Sequence, residues 1–247
     1  MLTSKPSKRS LGLLLLGIGT AAFSLAAMAD DDFNIYSPYV TQGQSEVEFR
    51  GHQVSDGDPT LQGERTYEIS VAHAFTSWWR PEVYLGTYER QPGQPNSFDG
   101  HEFENVFQLS DAGQYWADFG FLASYERKSQ PGVTSKVEFG PLIEKQVGHI
   151  RQRLNFIWEK EVGGDADPKY AFRSAYLFTY SFTQALAPGF EAYYRPADSS
   201  HQLGPALYGE IPSSSGNELE YSAALVFGLN KGAPNRTFVL RLEYEFN

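Results

Sequence analysis

Residues 236–247 read RTFVLRLEYEFN. In an extended chain successive side chains point to opposite faces. Phe238, Leu240, Leu242, Tyr244 and Phe246 therefore share one face, and Thr237, Val239, Arg241, Glu243 and Glu245 share the other. One face suits an apolar medium and the other suits water. A closed barrel standing in a membrane needs this split in every strand, with lipid outside and a polar interior.

The same split recurs backward through the chain. Expected strands are 45–52, 63–75, 81–90, 102–109, 115–127, 135–145, 149–160, 169–182, 189–196, 201–211 and 218–229, with 236–247 as the last. In 169–182, for example, Tyr170, Phe172, Tyr176, Phe178, Tyr180 and Phe182 oppose Ala171, Arg173, Ala175, Thr179 and Ser181. Helical periodicity competes nowhere along this stretch. The expected fold class is all-β, a transmembrane antiparallel up-and-down β-barrel of about 12 strands.

The beginning of the chain reads differently. Lys5, Lys8 and Arg9 precede an apolar run from Leu11 to Ala27, and Ala27-Met28-Ala29 stands before three aspartates. That is the pattern of a secretory signal peptide over 1–29, cleaved after Ala29. Cleavage removes three basic groups and no acid from a chain whose formal net charge is −10. An exported, acidic protein is a poor partner for nucleic acid, which needs clustered Lys and Arg. No cysteine is present, so disulfides, thiolate metal ligands and thiol nucleophiles are excluded. An aromatic content of 15% fits the two interfacial girdles of a membrane barrel. The expected organisation is a signal peptide at 1–29, a polar periplasmic N-terminal segment at 30–44 and an outer-membrane barrel at 45–247.

Connections supply an independent check. Those at 53–62, 91–100, 161–168 and 230–235 are longer and rich in Gly, Pro and Asp, whereas those at 76–80, 111–114, 146–149 and 183–188 are short. An even strand number with this alternation places both barrel ends of the chain, and the short turns, on the periplasmic side. Two segments, VEFGPLIEK (137–145) and HQLGPALYG (201–209), share an inward glycine followed by an outward proline. A proline removes a ladder donor, and a closed sheet offers it no free edge, so a bulge is expected at Pro141 and at Pro205.

The signal peptide, the alternating segments and the ending LEYEF before Asn247 resemble bacterial outer-membrane β-barrel proteins. Segments such as QYWADFG, EFGPLIEK and FGLN are similar to uncharacterised small proteobacterial barrels. The resemblance implies contact with outer-membrane lipid and lipopolysaccharide, insertion by the barrel assembly machinery, and small solutes or ions as cargo. Size and strand count are similar to the small monomeric porins for acidic oligosaccharides, whose lumens are lined with Arg and Lys.

The charges assigned to this lumen are of the other sign. The register turns inward Glu46, Glu48, Glu64, Glu68, Glu82, Glu102, Glu104, Asp118, Glu126, Glu138, Glu144, Glu159, Glu191, Glu218, Glu220, Glu243 and Glu245. Against these seventeen acids stand eight bases: Arg50, Arg90, Lys136, Arg151, Arg153, Arg173, Arg195 and Arg241. An acidic polymer would be repelled by such a surface. A water-filled lumen would concentrate cations and make a narrow, cation-preferring pore or small-solute transporter. Alternatively, acids and bases pair across a barrel this narrow and plug it, leaving a structural or partner-binding protein.

A lipid-modifying enzyme is the third class. It needs a hydroxyl nucleophile beside a histidine. His73 faces lipid near the periplasmic end, with no serine identifiable beside it from sequence. His52, His101 and His201 lie near the other strand ends, and His149 lies in a turn. No metal-ligand spacing is present. The reading is therefore not an enzyme, without catalytic residues, metal or cofactor.

Overall fold

The computed structural model describes residues 33–247. The signal peptide expected at 1–29 lies outside the described residues. Twelve antiparallel strands follow one another: β1 (Ser45–Ser55), β2 (Arg65–His73), β3 (Trp79–Arg90), β4 (Ser97–Gln108), β5 (Asp118–Lys128) and β6 (Ser135–Val147). The second half holds β7 (Ile150–Val162), β8 (Tyr170–Tyr180), β9 (Ala187–Arg195), β10 (Ser200–Pro212), β11 (Glu218–Gly228) and β12 (Arg236–Phe246). Each strand pairs with its neighbours in sequence, and β12 returns to β1 from Ser45 opposite Phe246 to Ser55 opposite Arg236. The barrel is closed, so no edge is left to template association.

The two faces separate as the period of two requires. Val47, Phe49, Val71, Leu85, Phe103, Leu203, Leu225, Phe238 and Leu242 are exposed on the outside. Their inward neighbours are buried and mostly polar. An outward apolar surface and an inward polar one invert a water-soluble sandwich, and are the arrangement of a barrel standing in lipid.

Connections at the end near Ser45 and Phe246 span 74–78, 109–117, 148–149, 181–186 and 213–217. Those at the opposite end span 56–64, 91–96, 129–134, 163–169, 196–199 and 229–235. The connection at 109–117 is longer than expected because Tyr115, Trp116 and Ala117 precede β5 rather than belonging to it. In the loop at 56–64, Asp58 accepts from the amide and hydroxyl of Thr60, which hold its carboxyl below the ordinary value.

The expected bulges at Pro141 and Pro205 do not form. Pairing keeps a constant register across both positions. The preceding glycines provide the relief instead. A Cβ on Gly140 would lie 1.8 Å from the Phe156 carbonyl oxygen, and one on Gly204 would lie 2.0 Å from that of Leu225. Without side chains there, the neighbouring backbones close in and no residue is inserted. The register shifts fall at β3 instead, between Ile69 and Ser70 of its β2 partner and around Thr87 on its β4 side. They turn Tyr88 outward onto Tyr67, with ring centroids 5.4 Å apart. Arg90 leaves the lumen face with it and donates from Nε to the Gln94 carbonyl at 3.1 Å. The lumen assignment of Arg90 is thus corrected, because a one-residue slip reverses every side chain beyond it.

Candidate functional site: the barrel lumen

The lumen is built in three layers. Toward the end bearing the 56–64 connection, acids and bases interlock across neighbouring strands. Arg50 Nε meets Glu68 Oε2 at 2.5 Å. Arg173 bridges Glu138 at 2.7 Å and Glu159 at 2.8 Å, while Arg195 reaches Glu159 at 3.4 Å. Lys136 joins Glu138 to Glu126, and Lys128 joins Glu126 to Asp99. Each base is shared between acids, which keeps buried carboxylates compensated.

The middle layer is the chain itself. Residues 33–44, expected in the periplasm, run instead inside the barrel at 33–40. Phe33, Ile35, Tyr36 and Val40 are each buried. Tyr36 and Val40 pack with Ala74, Val106, Leu122, Leu142 and Ile157. Phe33 packs with Ala206, Ala224, Val226 and Val239, and Ile35 packs with Ala175 and Leu177. These inward apolar residues would be misplaced in a water channel, and the segment is what they cover.

Polar contacts hold its backbone in place. The Tyr36 amide donates to Asn155 Oδ1 at 2.7 Å, and Asn155 Nδ2 returns a bond to the Tyr36 carbonyl at 3.1 Å. The Val40 amide donates to Gln108 Oε1 at 2.8 Å, and the Tyr39 hydroxyl donates to Asp118 Oδ2 at 2.6 Å. The Phe33 carbonyl accepts from the Tyr193 hydroxyl at 3.0 Å and from the Arg241 guanidinium. Arg241 also meets Glu191 at 3.0 Å, itself reached by the hydroxyl of Tyr208. Gly120 faces inward beside Pro38, where an added Cβ would lie 2.8 Å from the proline's own. In a segment without a strand partner, side chains thus satisfy the Phe33 carbonyl, both Tyr36 backbone groups and the Val40 amide.

The third layer opens toward the end near Ser45 and Phe246. A cavity of about 430 Å³ lies there between the segment and β1, β3, β4, β6, β7 and β10–β12. Ten glutamates line it, Glu46, Glu48, Glu82, Glu104, Glu220 and Glu243 among them, against the arginines Arg80, Arg151, Arg153 and Arg241. Arg80 is bonded to Glu46 and stands 3.8 Å from Glu82, and Arg153 meets Glu144 at 2.5 Å. Carboxylate oxygens of Glu46, Glu243 and Glu245 lie within 4.8 Å of one another, as do those of Glu210, Glu218 and Glu220. Three oxygens are half the set that Ca²⁺ or Mg²⁺ takes, so a metal there would keep much of its water.

The acids and bases named in the ion-pair layer and the vestibule are buried, half-buried or line the cavity, whereas Arg90 bonds at an exposed position. Glu64 and Glu102 precede or lie within the same polar half, and Glu218 opens the vestibule. Sequence reasoning missed Arg80, read as part of a turn, and Asp99 and Lys128, read as loop residues. Continuing the alternation backward from Glu82 would have found Arg80. It missed the segment too, although FNIYSPYV is far too apolar for a solvated tail. His52 also turns inward, its ring 4.8 Å from that of Phe33. On the outside, the serine unidentified in the sequence is Ser45, whose Oγ stands 2.9 Å from His73 Nδ1 as its cross-strand partner. The His73 ring also lies edge-on to that of Phe75, with centroids 4.7 Å apart.

No protein-family model and no curated protein matches the chain. Among solved structures, the chain is similar to a bacterial polysaccharide outer membrane secretin at 10% identity and a TM-score of 0.42, covering 84% of this chain and all of that one. It is also similar to a triple mutant of Rhodopseudomonas blastica porin at 12% identity and a TM-score of 0.27, covering 82% and 99%. The first is named as an outer membrane protein and the second as a porin, and at these values they lend no activity to this chain.

Proposed function

We propose that the protein is an outer-membrane pore for small solutes, closed in this state by its own N-terminal segment and cation-preferring when that segment withdraws. Its outer belt would meet outer-membrane lipid and lipopolysaccharide, and the acidic vestibule would face the periplasm. The observation carrying this reading is the vestibule, where ten glutamates meet four arginines around open space. An acidic cavity with low-dielectric walls raises the local cation concentration and repels anions. Beyond it the passage is stopped by side chains of one short segment rather than by the strands alone.

Planar-bilayer recording tests this reading. The full-length protein should be largely silent, and deletion of residues 33–40 should give stepwise conductance with a cation-selective reversal potential. Silence from both forms, or anion selectivity, would overturn it. The ion-pair layer running from Arg50 to Arg195 favours a second reading, a permanently closed structural barrel acting through its loops. In that case deleting the segment leaves the membrane sealed.

A further inference from the structure

We propose that the vestibule is a binding site for a linear aliphatic polyamine, with Glu104 as its innermost anchor. This deepens the cation preference proposed above and rests on the same cavity. Glu104 is 1% exposed and lines that cavity, yet among the described residues neither of its carboxylate oxygens has a hydrogen-bond partner. Its cross-strand neighbour is another acid, Glu82. A buried carboxylate left this way calls for a donor, and an ammonium group supplies three N–H donors with the compensating charge.

The rest of the cavity matches a chain with several such groups. Two carboxylate triads stand nearer the mouth, Glu46 with Glu243 and Glu245 from β1 and β12, and Glu210 with Glu218 and Glu220 from β10 and β11. Glu46 is bonded to Arg80 and Glu210 meets Arg151 at 3.0 Å, which leaves Glu243, Glu245, Glu218 and Glu220 to face further ammonium groups along the same ligand. Ile35, Tyr36, Tyr208 and Tyr221 line the same space. They offer apolar surface to methylenes and ring faces to cations. A volume of about 430 Å³ suits a small organic ligand and exceeds what a bare ion fills. Glu104 belongs to neither triad, so a metal held by three rim carboxylates would leave it unpaired.

Isothermal titration of the full-length protein in lipid nanodiscs with spermine tests the proposal. Saturable binding is expected, weakened at least about tenfold by Glu104→Gln, the loss of one charge-assisted contact. Glu220→Gln, changed at the mouth where the fold tolerates exposure, should weaken spermine less and shorter diamines hardly at all. MgCl₂ at equal ionic strength should displace little spermine. Absence of saturable heat, binding unchanged in Glu104→Gln, or displacement by Mg²⁺ as effective as by spermine would each overturn it. The readout needs no conduction. A lost titration with cation-selective currents retained refutes the polyamine alone, and retained binding without currents refutes the pore alone.

Discussion

Arg173 holds two carboxylates at once, and a methionine of similar length there would keep the volume and remove the charge. Glu138 and Glu159 are both buried, so each would lose a compensating partner in a region with little water to replace it. Breaking a buried pair from one side costs about 3–5 kcal/mol. Arg173→Met is therefore expected to lower unfolding stability by about that amount in urea titrations followed by tryptophan fluorescence in lipid vesicles. Adding Glu138→Gln and Glu159→Gln to it should recover part of the loss, since the two carboxylates lose their charge while Lys136 keeps Glu126 and Arg195 keeps Asp198. A triple variant no more stable than the single one would show that Arg173 acts through packing instead.

At the scale of elements, the N-terminal segment and the barrel are held to each other by few polar contacts and much apolar surface. Asn155, fully buried on β7, both accepts from and donates to the Tyr36 backbone. Asn155→Leu removes both bonds and leaves two buried backbone groups unpaired, each costing about 1–3 kcal/mol. Native-state hydrogen exchange should then show the amides of residues 33–40 exchanging faster while the strand amides of β6 to β8 keep their protection. Uniformly faster exchange would mean that the segment is part of the cooperative barrel rather than a separable closure. The β3 irregularity acts at this same scale. One slipped residue takes Arg90 out of the lumen and sends Tyr88 to the outer face.

For the whole molecule, the outward apolar surface is the property that decides where the barrel is stable. Leu225 stands in the second half of β11 and is 39% exposed on the outside. Leu225→Arg should cost about 2–4 kcal/mol if that surface lies at the bilayer midplane. Refolding into vesicles, followed by the heat-dependent gel mobility of folded barrels, measures the cost. An unchanged folding midpoint would place water at that position and remove the basis for a membrane location.

The twelve strands and their facing were legible in the sequence, because lipid on one side and a polar interior on the other impose a period of two that each strand carries by itself. RTFVLRLEYEFN shows it without reference to any neighbour. Most inward acids and bases followed from the same rule. What the tertiary structure decided is what stands opposite each of them across the lumen. The bond of Arg80 to Glu46 is visible only there, and the docking of Phe33 to Val40 depends on apolar patches assembled from the 74–78 connection, β4 to β8 and β10 to β12. Glu104 reads like any other inward glutamate until its surroundings show that, among the described residues, no donor is bonded to its carboxylate. Alternation is a local consequence of backbone geometry, whereas pairing across a closed lumen joins residues distant in the chain and leaves no periodic trace.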